Sequence, residues 1–285
     1  MIKIAGQPFQ NAEKWPSESV EHAILEPMIA SSTVFAYPSM DALLFELAFR
    51  KNIISSSKAL NQSNAEFASF RDSRCNPAYW HLTNAGGFRL RPGVQPAAAI
   101  QDIFLNSEQY AFECATAMVI IYYHALEKLI GAEQFNALFP DIYLYSWHID
   151  PKLRLNLYHT EQFIPADCVY FDNPDFDPYT PQWRGENAIL MDNGLYFGHG
   201  IGIVSAAQLI QALNRTRRPG SRRSATLLDQ ALRPDFNYLF KITSTVRENT
   251  FPEYPSVVAI HHQTSISFKQ YKMYVEIAYQ QLGWR

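Results

Sequence analysis

A mixed α+β domain is predicted for this chain by three observations. The stretch from Ala115 to Ala125 is apolar almost all round, broken only by Thr116 and His124, which describes a helix buried on most of its sides. After it the hydrophobic period falls from 3.6 to 2, in runs at Ile142–Trp147, Leu153–Tyr158, Cys168–Phe171, Glu186–Met191 and Leu195–Ile201. The connections between these runs are short, so the sheet they build is expected to be mostly antiparallel, with the apolar helix packed on it.

The elements can be justified in chain order. Ser39 is placed to cap a helix from about Met40 into the high fifties, with Leu43, Leu44, Leu47 and Ile54 at helical spacing. Pro92 and Pro96 close an irregular stretch and admit a short helix around Ala97 to Phe104. Asn106 or Ser107 then offers a cap for the helix through Cys114, and Gly131 stops that helix in a left-handed conformation. Asn193-Gly194 is a strong signal for a two-residue hairpin turn between the last two strand runs. Ser205 to Gln208 fits a capping box that opens a helix from Ala206 to about Arg217. Glu248 to Ser256, with Pro252 and Pro255, reads as a linker before a tail. In that tail Tyr271, Val275, Ala278, Tyr279 and Leu282 form one helical stripe ending at Gly283.

Composition bounds the function. At 285 residues the chain can bury a substantial core, and 47% hydrophobic with 14% aromatic content is that of a folded protein. A net charge of −3 gives no global pull toward nucleic acid or an anionic membrane, which leaves protein or small-molecule substrates. Met1 to Pro8 lack the apolar core of a signal peptide, and no run of about 18 apolar residues could span a bilayer, so synthesis in the cytoplasm is expected. Cys75, Cys114 and Cys168 are odd in number and far apart, which favours free thiols over disulfides or a zinc site. Neither a metal nor a cofactor is called for.

Two constellations carry chemistry. Cys114 stands at the mouth of the apolar helix, where unpaired amides carry partial positive charge and favour a thiolate. Glu113 beside it would repel that thiolate unless it takes the thiol proton as a base. By itself such a cysteine is more commonly a small core residue. The second constellation is the hairpin from Glu186 to Gly200. With a two-residue turn, Ala188 lies opposite His199, and Glu186 shares a sheet face with His199 at a diagonal spacing of about 7–8 Å. A three-residue loop would put the two on opposite faces. Glu186 beside Arg184 also fits a surface ion pair, and His199 between two glycines fits a core histidine. A thiol, a carboxylate and an imidazole are nevertheless available to one site.

Three other patterns carry less. Gly198-His199-Gly200-Ile201-Gly202 lacks the glycine placement of a phosphate loop. Asp172, Asp175 and Asp177 lie among Pro174 and Pro178 and lack the glycine of a calcium loop. Arg215, Arg217, Arg218, Arg222 and Arg223 straddle Pro219-Gly220 and read as a solvated helix end.

The segments Tyr110–Ala117, Val119–Tyr123, Gln182–Asn187 and Tyr196–Gly200 resemble those of the spore-coat protein-glutamine gamma-glutamyltransferases of bacilli, over about Ile2 to Phe240. The resemblance implies a papain-like cysteine hydrolase fold and a calcium-independent transglutaminase. It would join glutamine and lysine side chains of spore coat proteins, with neither nucleic acid nor membrane as a partner. It implies Cys114 as nucleophile, Glu186 as principal carboxylate, Glu113 as a partly redundant second one and His199 as the active-site histidine. Phe67, Trp147 and Trp183 would line the substrate tunnel; without the resemblance the same aromatics read as core. The implied location is the spore coat, after synthesis in the mother-cell cytoplasm without a signal peptide. The implied domain is 1–243, with 244–285 an extension that shorter relatives lack and to which nothing carries over. A cysteine amidase or peptidase of similar fold, and an inactive structural coat protein, are the alternatives.

Overall fold

The computed structural model describes residues 1–9, 11–245, 257–261 and 265–282. The expected linker at Glu248 to Ser256 and the stop at Gly283 lie outside them.

The helix Cys114–Ile130 is the axis of the molecule. Every residue from Cys114 to Glu127 is buried, as its apolar sequence requires, and it belongs to the largest hydrophobic cluster. Against one side packs the long helix Met40–Gln62, capped by the Ser39 hydroxyl on the Ala42 amide. Against another lies a six-stranded antiparallel sheet, in spatial order Gly202–Val204, Tyr196–Gly198, Gly185–Leu190, Cys168–Asp172, Thr226–Pro234 and Leu155–His159. The α+β expectation therefore holds. Gly185–Leu190 is buried at every position, which is why its sequence shows an apolar run.

Several expectations need correction. Neither Asn106 nor Ser107 caps the central helix. Asn106 ends the helix Pro96–Leu105, Ser107–Gln109 is one turn of 3₁₀ helix, and Ala111–Phe112 runs extended beside Glu66–Phe67. Glu113 is the cap itself, so Cys114 becomes the first helical residue. The hairpin turn has three residues, Asp192 to Gly194, closed by the Met191 amide on the Leu195 carbonyl at 2.8 Å, and Ala188 pairs with Gly198 rather than His199. Gly194, at φ 77°, takes the left-handed position that such loops use. Of the run Ile142–Trp147 only Tyr143–Leu144 forms a strand. The arginine run is not simply solvated: Arg218 and Arg223 both ion-pair with the buried Asp175.

A buried ionic cluster ties the long helix to the sheet. Arg50 Nε donates to Glu46 at 2.8 Å and its Nη1 to Asp167 at 3.0 Å, while Arg233 forks onto both oxygens of Asp167 at 2.7 and 2.6 Å. Two cations share one carboxylate with no solvent access, so removing the carboxylate strands both. Asp167→Ala is expected to cost about 3–5 kcal/mol in urea unfolding; a loss below about 1 kcal/mol would show that the cluster does not hold helix to sheet.

The tail docks on this body. Helix Phe268–Gln281 opens with a capping box between Ser267 and Gln270. Phe268 and Tyr271 face inward, and Val275 and Tyr279 are partly covered, but Leu282, expected in the same stripe, is exposed. Among the described residues no helix is long and apolar enough to cross a membrane.

Candidate active site

The Cys114 thiol is fully buried at the first position of the central helix. It accepts a hydrogen bond from Asn187 Nδ2 at 3.3 Å. The Ser265 hydroxyl of the tail lies against it and favours its ionised form, although off the line of a well-formed hydrogen bond. A helix start contributes only about 0.3–1 kcal/mol toward a thiolate, whereas complete burial shifts a group by up to about 3–5 pKa units. Burial wins: with the charges of Glu186 and Glu113 adding to it, the thiol is pushed well above its ordinary range.

Glu113 is locked in place. Its Oε2 accepts from the Ala115 amide at 2.8 Å, and its Oε1 from the Thr116 amide at 2.7 Å and the Thr116 hydroxyl at 2.9 Å. These donors oppose the upward push of burial without overcoming it. Thr116 Oγ1 also receives the Ser146 amide at 2.9 Å. Ser146 has φ 50°, a conformation disfavoured for a residue with a side chain, and it directly precedes Trp147. The cap on the central helix thus also fixes the turn that presents Trp147.

Glu186 is the opposite case. It is fully buried, and neither carboxylate oxygen has a well-formed hydrogen bond among the described residues. Burial raises its pKa well above the usual range and the Glu113 charge adds to that; the nearby His199 backbone and Cys114 thiol oppose it only in part. A Cβ on Gly198 would come within 3.0–3.3 Å of the Glu186 side chain, so a larger residue there would press on this carboxylate.

His199 approaches Glu186 through its backbone, as the three-residue loop dictates. Its imidazole stacks on Phe112 at 4.6 Å, and Nε2 donates to the Glu66 carbonyl at 3.2 Å. Burial pushes its pKa down to about 4, so the ring is neutral at pH 7. The imidazole is therefore placed against the Ala111–Phe112 strand that leads into Cys114 rather than hydrogen-bonded to Glu186.

The three aromatics fall into two groups. Phe67 and Trp183 stack at 5.2 Å, half-buried, with Phe67 also 6.1 Å from His199. Gly200 permits this approach, since a Cβ there would lie 2.7 Å from Phe67. Trp147 is buried in the second group, edge-on to Phe268 of the tail at 5.6 Å, with Nε1 donating to the Ile266 carbonyl at 2.9 Å.

Sequence reasoning missed Asn187 and Tyr170. They are cross-strand partners, so their side chains share a sheet face. Asn187 stands beside Glu186 at the polar start of its run and Tyr170 lies in an ordinary apolar strand, so neither carries a signal of its own.

Comparisons with known proteins agree on one family. The profile of protein-glutamine gamma-glutamyltransferases matches residues 1–243. A protein-glutamine gamma-glutamyltransferase of Halalkalibacterium halodurans is 45% identical over 275 residues, 96% of this chain and 97% of its own. That of Bacillus subtilis is 44% identical over 244 residues, 85% of this chain and 99% of its own, and so ends without the tail. The solved structure of a transglutaminase from Geobacillus stearothermophilus, without its C-terminal extension, superposes with a TM-score of 0.69 at 50% identity, covering 72% of this chain and 98% of that one.

The unpartnered Glu186 has a cost that can be measured. A carboxyl whose pKa rises on folding destabilises the native state as pH climbs from the unfolded value, ~4.3, toward the folded one, because the native state then retains a proton the unfolded state has released. Glu186→Gln removes that dependence. Above about pH 6 its Tm is expected to exceed that of the parent by a margin that widens with pH; a margin constant from pH 4 to pH 8 would mean that Glu186 ionises normally.

Proposed function

Because the chain belongs to the protein-glutamine gamma-glutamyltransferase family, we propose that it forms glutamine-lysine isopeptide bonds through a Cys114 thioester, with Glu186 as the proton-transfer carboxylate. Residues 1–243 are the catalytic domain in this reading. The observation that carries it is the pairing of a buried thiol with a buried carboxylate whose oxygens have no well-formed hydrogen bond among the described residues.

Ionised Glu186 takes the Cys114 proton, and the thiolate sulfur attacks the carboxamide carbon of a glutamine side chain. The new C–S bond sends the carbonyl electron pair to oxygen. When that oxyanion collapses, the C–N bond breaks and the nitrogen leaves as ammonia with the proton held by Glu186. A neutral lysine amine then attacks the thioester carbon and gives its proton to Glu186. The C–S bond breaks, the isopeptide bond remains, and the proton returns to sulfur. A carboxyl with a raised pKa suits this work, since it is a stronger base than a solvated one and can still return the proton near neutral pH.

Glu113 supports the step by its charge and by holding the helix start, and its own hydrogen bonds make it the lesser base. Neutral His199 fixes the Glu66–Phe67 segment against Phe112. Phe67 and Trp183 supply an apolar wall for the lysine stem and exclude the water that would hydrolyse the thioester to glutamate. The resemblance to the enzymes of bacilli supports spore coat proteins as the substrates, the coat as the site of action, and independence from calcium.

Incorporation of a fluorescent primary amine into a glutamine-rich protein should persist in the presence of a calcium chelator. It should fall to background for Cys114→Ala and about 10²–10⁴-fold for Glu186→Gln. Ammonia release without labelling would make the protein an amidase. Neutralising Glu113 removes a charge that raises both Glu186 and Cys114. Glu113→Gln is therefore expected to move the acidic limb of the pH–rate profile to lower pH, and an unmoved limb would take Glu113 out of the proton inventory.

A further inference from the structure

Residues Ser265–Ser267 are buried, with Ser265 against Cys114, and the carbonyls of Ser265 and Ile266 are both met by side-chain donors. The Tyr170 hydroxyl donates to the Ser265 carbonyl at 3.3 Å. The Ile266 carbonyl receives two donors, Trp147 Nε1 at 2.9 Å and Asn187 Nδ2 at 3.1 Å. The same Asn187 amide group reaches Cys114 Sγ at 3.3 Å. Two fixed donors converging on one carbonyl oxygen beside a thiol is the arrangement that stabilises the oxyanion of acyl transfer.

The donors and the oxygen they hold come from different parts of the chain. Trp147, Tyr170 and Asn187 lie within the family-matched residues 1–243, while Ile266 belongs to an extension that the Bacillus subtilis relative lacks. A peptide carbonyl and a glutamine carboxamide are the same functional group, so the Ile266 oxygen marks where a substrate oxygen fits. Building on the transglutaminase reading, we infer that Ser265–Ser267 occupy the acyl-donor site as a built-in substrate mimic, and that Trp147 Nε1 and Asn187 Nδ2 are the oxyanion donors. The glutamine donor binds as an extended peptide across the same face, and it must displace the tail.

The seat is built to open. In helix Phe268–Gln281 only Phe268 and Tyr271 are buried, while Met273 and Ile277 are 54% and 48% exposed. Upstream, the His261 amide donates to Tyr145 OH at 3.0 Å and its Nε2 pairs with Ser146 Oγ at 3.1 Å, which tethers the mimic to the strained turn before Trp147. While seated, the tail also lies against the Cys114 thiol and keeps a substrate from reaching it.

The test is the rate of Cys114 alkylation by iodoacetamide, read beside amine incorporation, in the full chain and in F268D/Y271D. Both rates should rise roughly 10-fold or more in the variant, in proportion to the open fraction. Faster alkylation without faster incorporation would sustain the seat and remove the transglutaminase reading. Unchanged alkylation in a variant whose circular dichroism is native would overturn the inference. If the double variant does not fold, the full chain with a protease site inserted at Asn249 serves instead. Cleavage should speed alkylation and a synthetic 257–282 peptide should slow it again, and no response to either would overturn the inference. In the released enzyme Asn187→Ala should lower kcat about 10²–10³-fold with KM little changed; a loss confined to KM would remove Asn187 from the oxyanion cradle.

Discussion

Everything at this site follows from the burial of three ionisable groups at the start of a helix that has no exposed side there. Cys114, Glu113 and Glu186 are all out of water; burial raises all three, the Glu113 charge adds to Glu186, and both carboxylates add to Cys114. Two carboxylates and a thiol so placed cannot all be ionised, so the site holds protons in reserve. Which group yields its proton is set by hydrogen bonds. Five donors and neighbours steady Glu113 and the thiol, whereas Glu186 is left with almost none, and it becomes the group whose charge state is free to change.

The rest of the fold can be understood as what permits that burial. The long helix and the six-stranded sheet enclose the central helix, and the Arg50–Asp167–Arg233 cluster fastens one to the other where apolar packing alone would allow sliding. Glycines at 198 and 200 clear the space for Glu186 and Phe67. The Glu113 cap reaches through Thr116 to Ser146, so a single carboxylate sets both the start of the helix and the aim of Trp147. Positions that look like separate sequence features are thus one mechanical unit.

Much of this was legible in the residues, for identifiable reasons. The apolar stretch from Ala115 to Ala125 announced a buried helix because no amphipathic pattern competes with it, and Ser39, Gly131 and the Ser205 box marked ends through local chemistry alone. The strand Thr226–Pro234 carries little signal of its own, since Leu227, Leu228, Gln230 and Ala231 have little intrinsic β preference and take it from partners on both sides. The helix start at Cys114 was misplaced because Asn106 and Ser107 are good caps that serve other turns, while glutamate is a poor cap outside a setting that buries it. Asn193-Gly194 signals a two-residue turn, but the loop takes three residues, and the extra one turns the His199 imidazole away from Glu186. Asn187 was hidden because nothing in sequence distinguishes a structural amide from one aimed at a thiol, and the part of the tail that meets it carries no motif.

The tail makes burial conditional. With Ser265–Ser267 in place the thiol is closed off; with the segment displaced, the same donors are presented to an incoming amide. The ionisation state of Glu186 is the quantity on which the chemistry depends. Isotope-edited infrared spectroscopy of the carboxyl stretch, assigned with Glu186→Gln, measures it directly as a function of pH. The expected result is a Glu186 that ionises well above the ~4.3 of a solvated glutamate in the full-length protein, and a carboxyl that ionises near the solvated value would contradict the account.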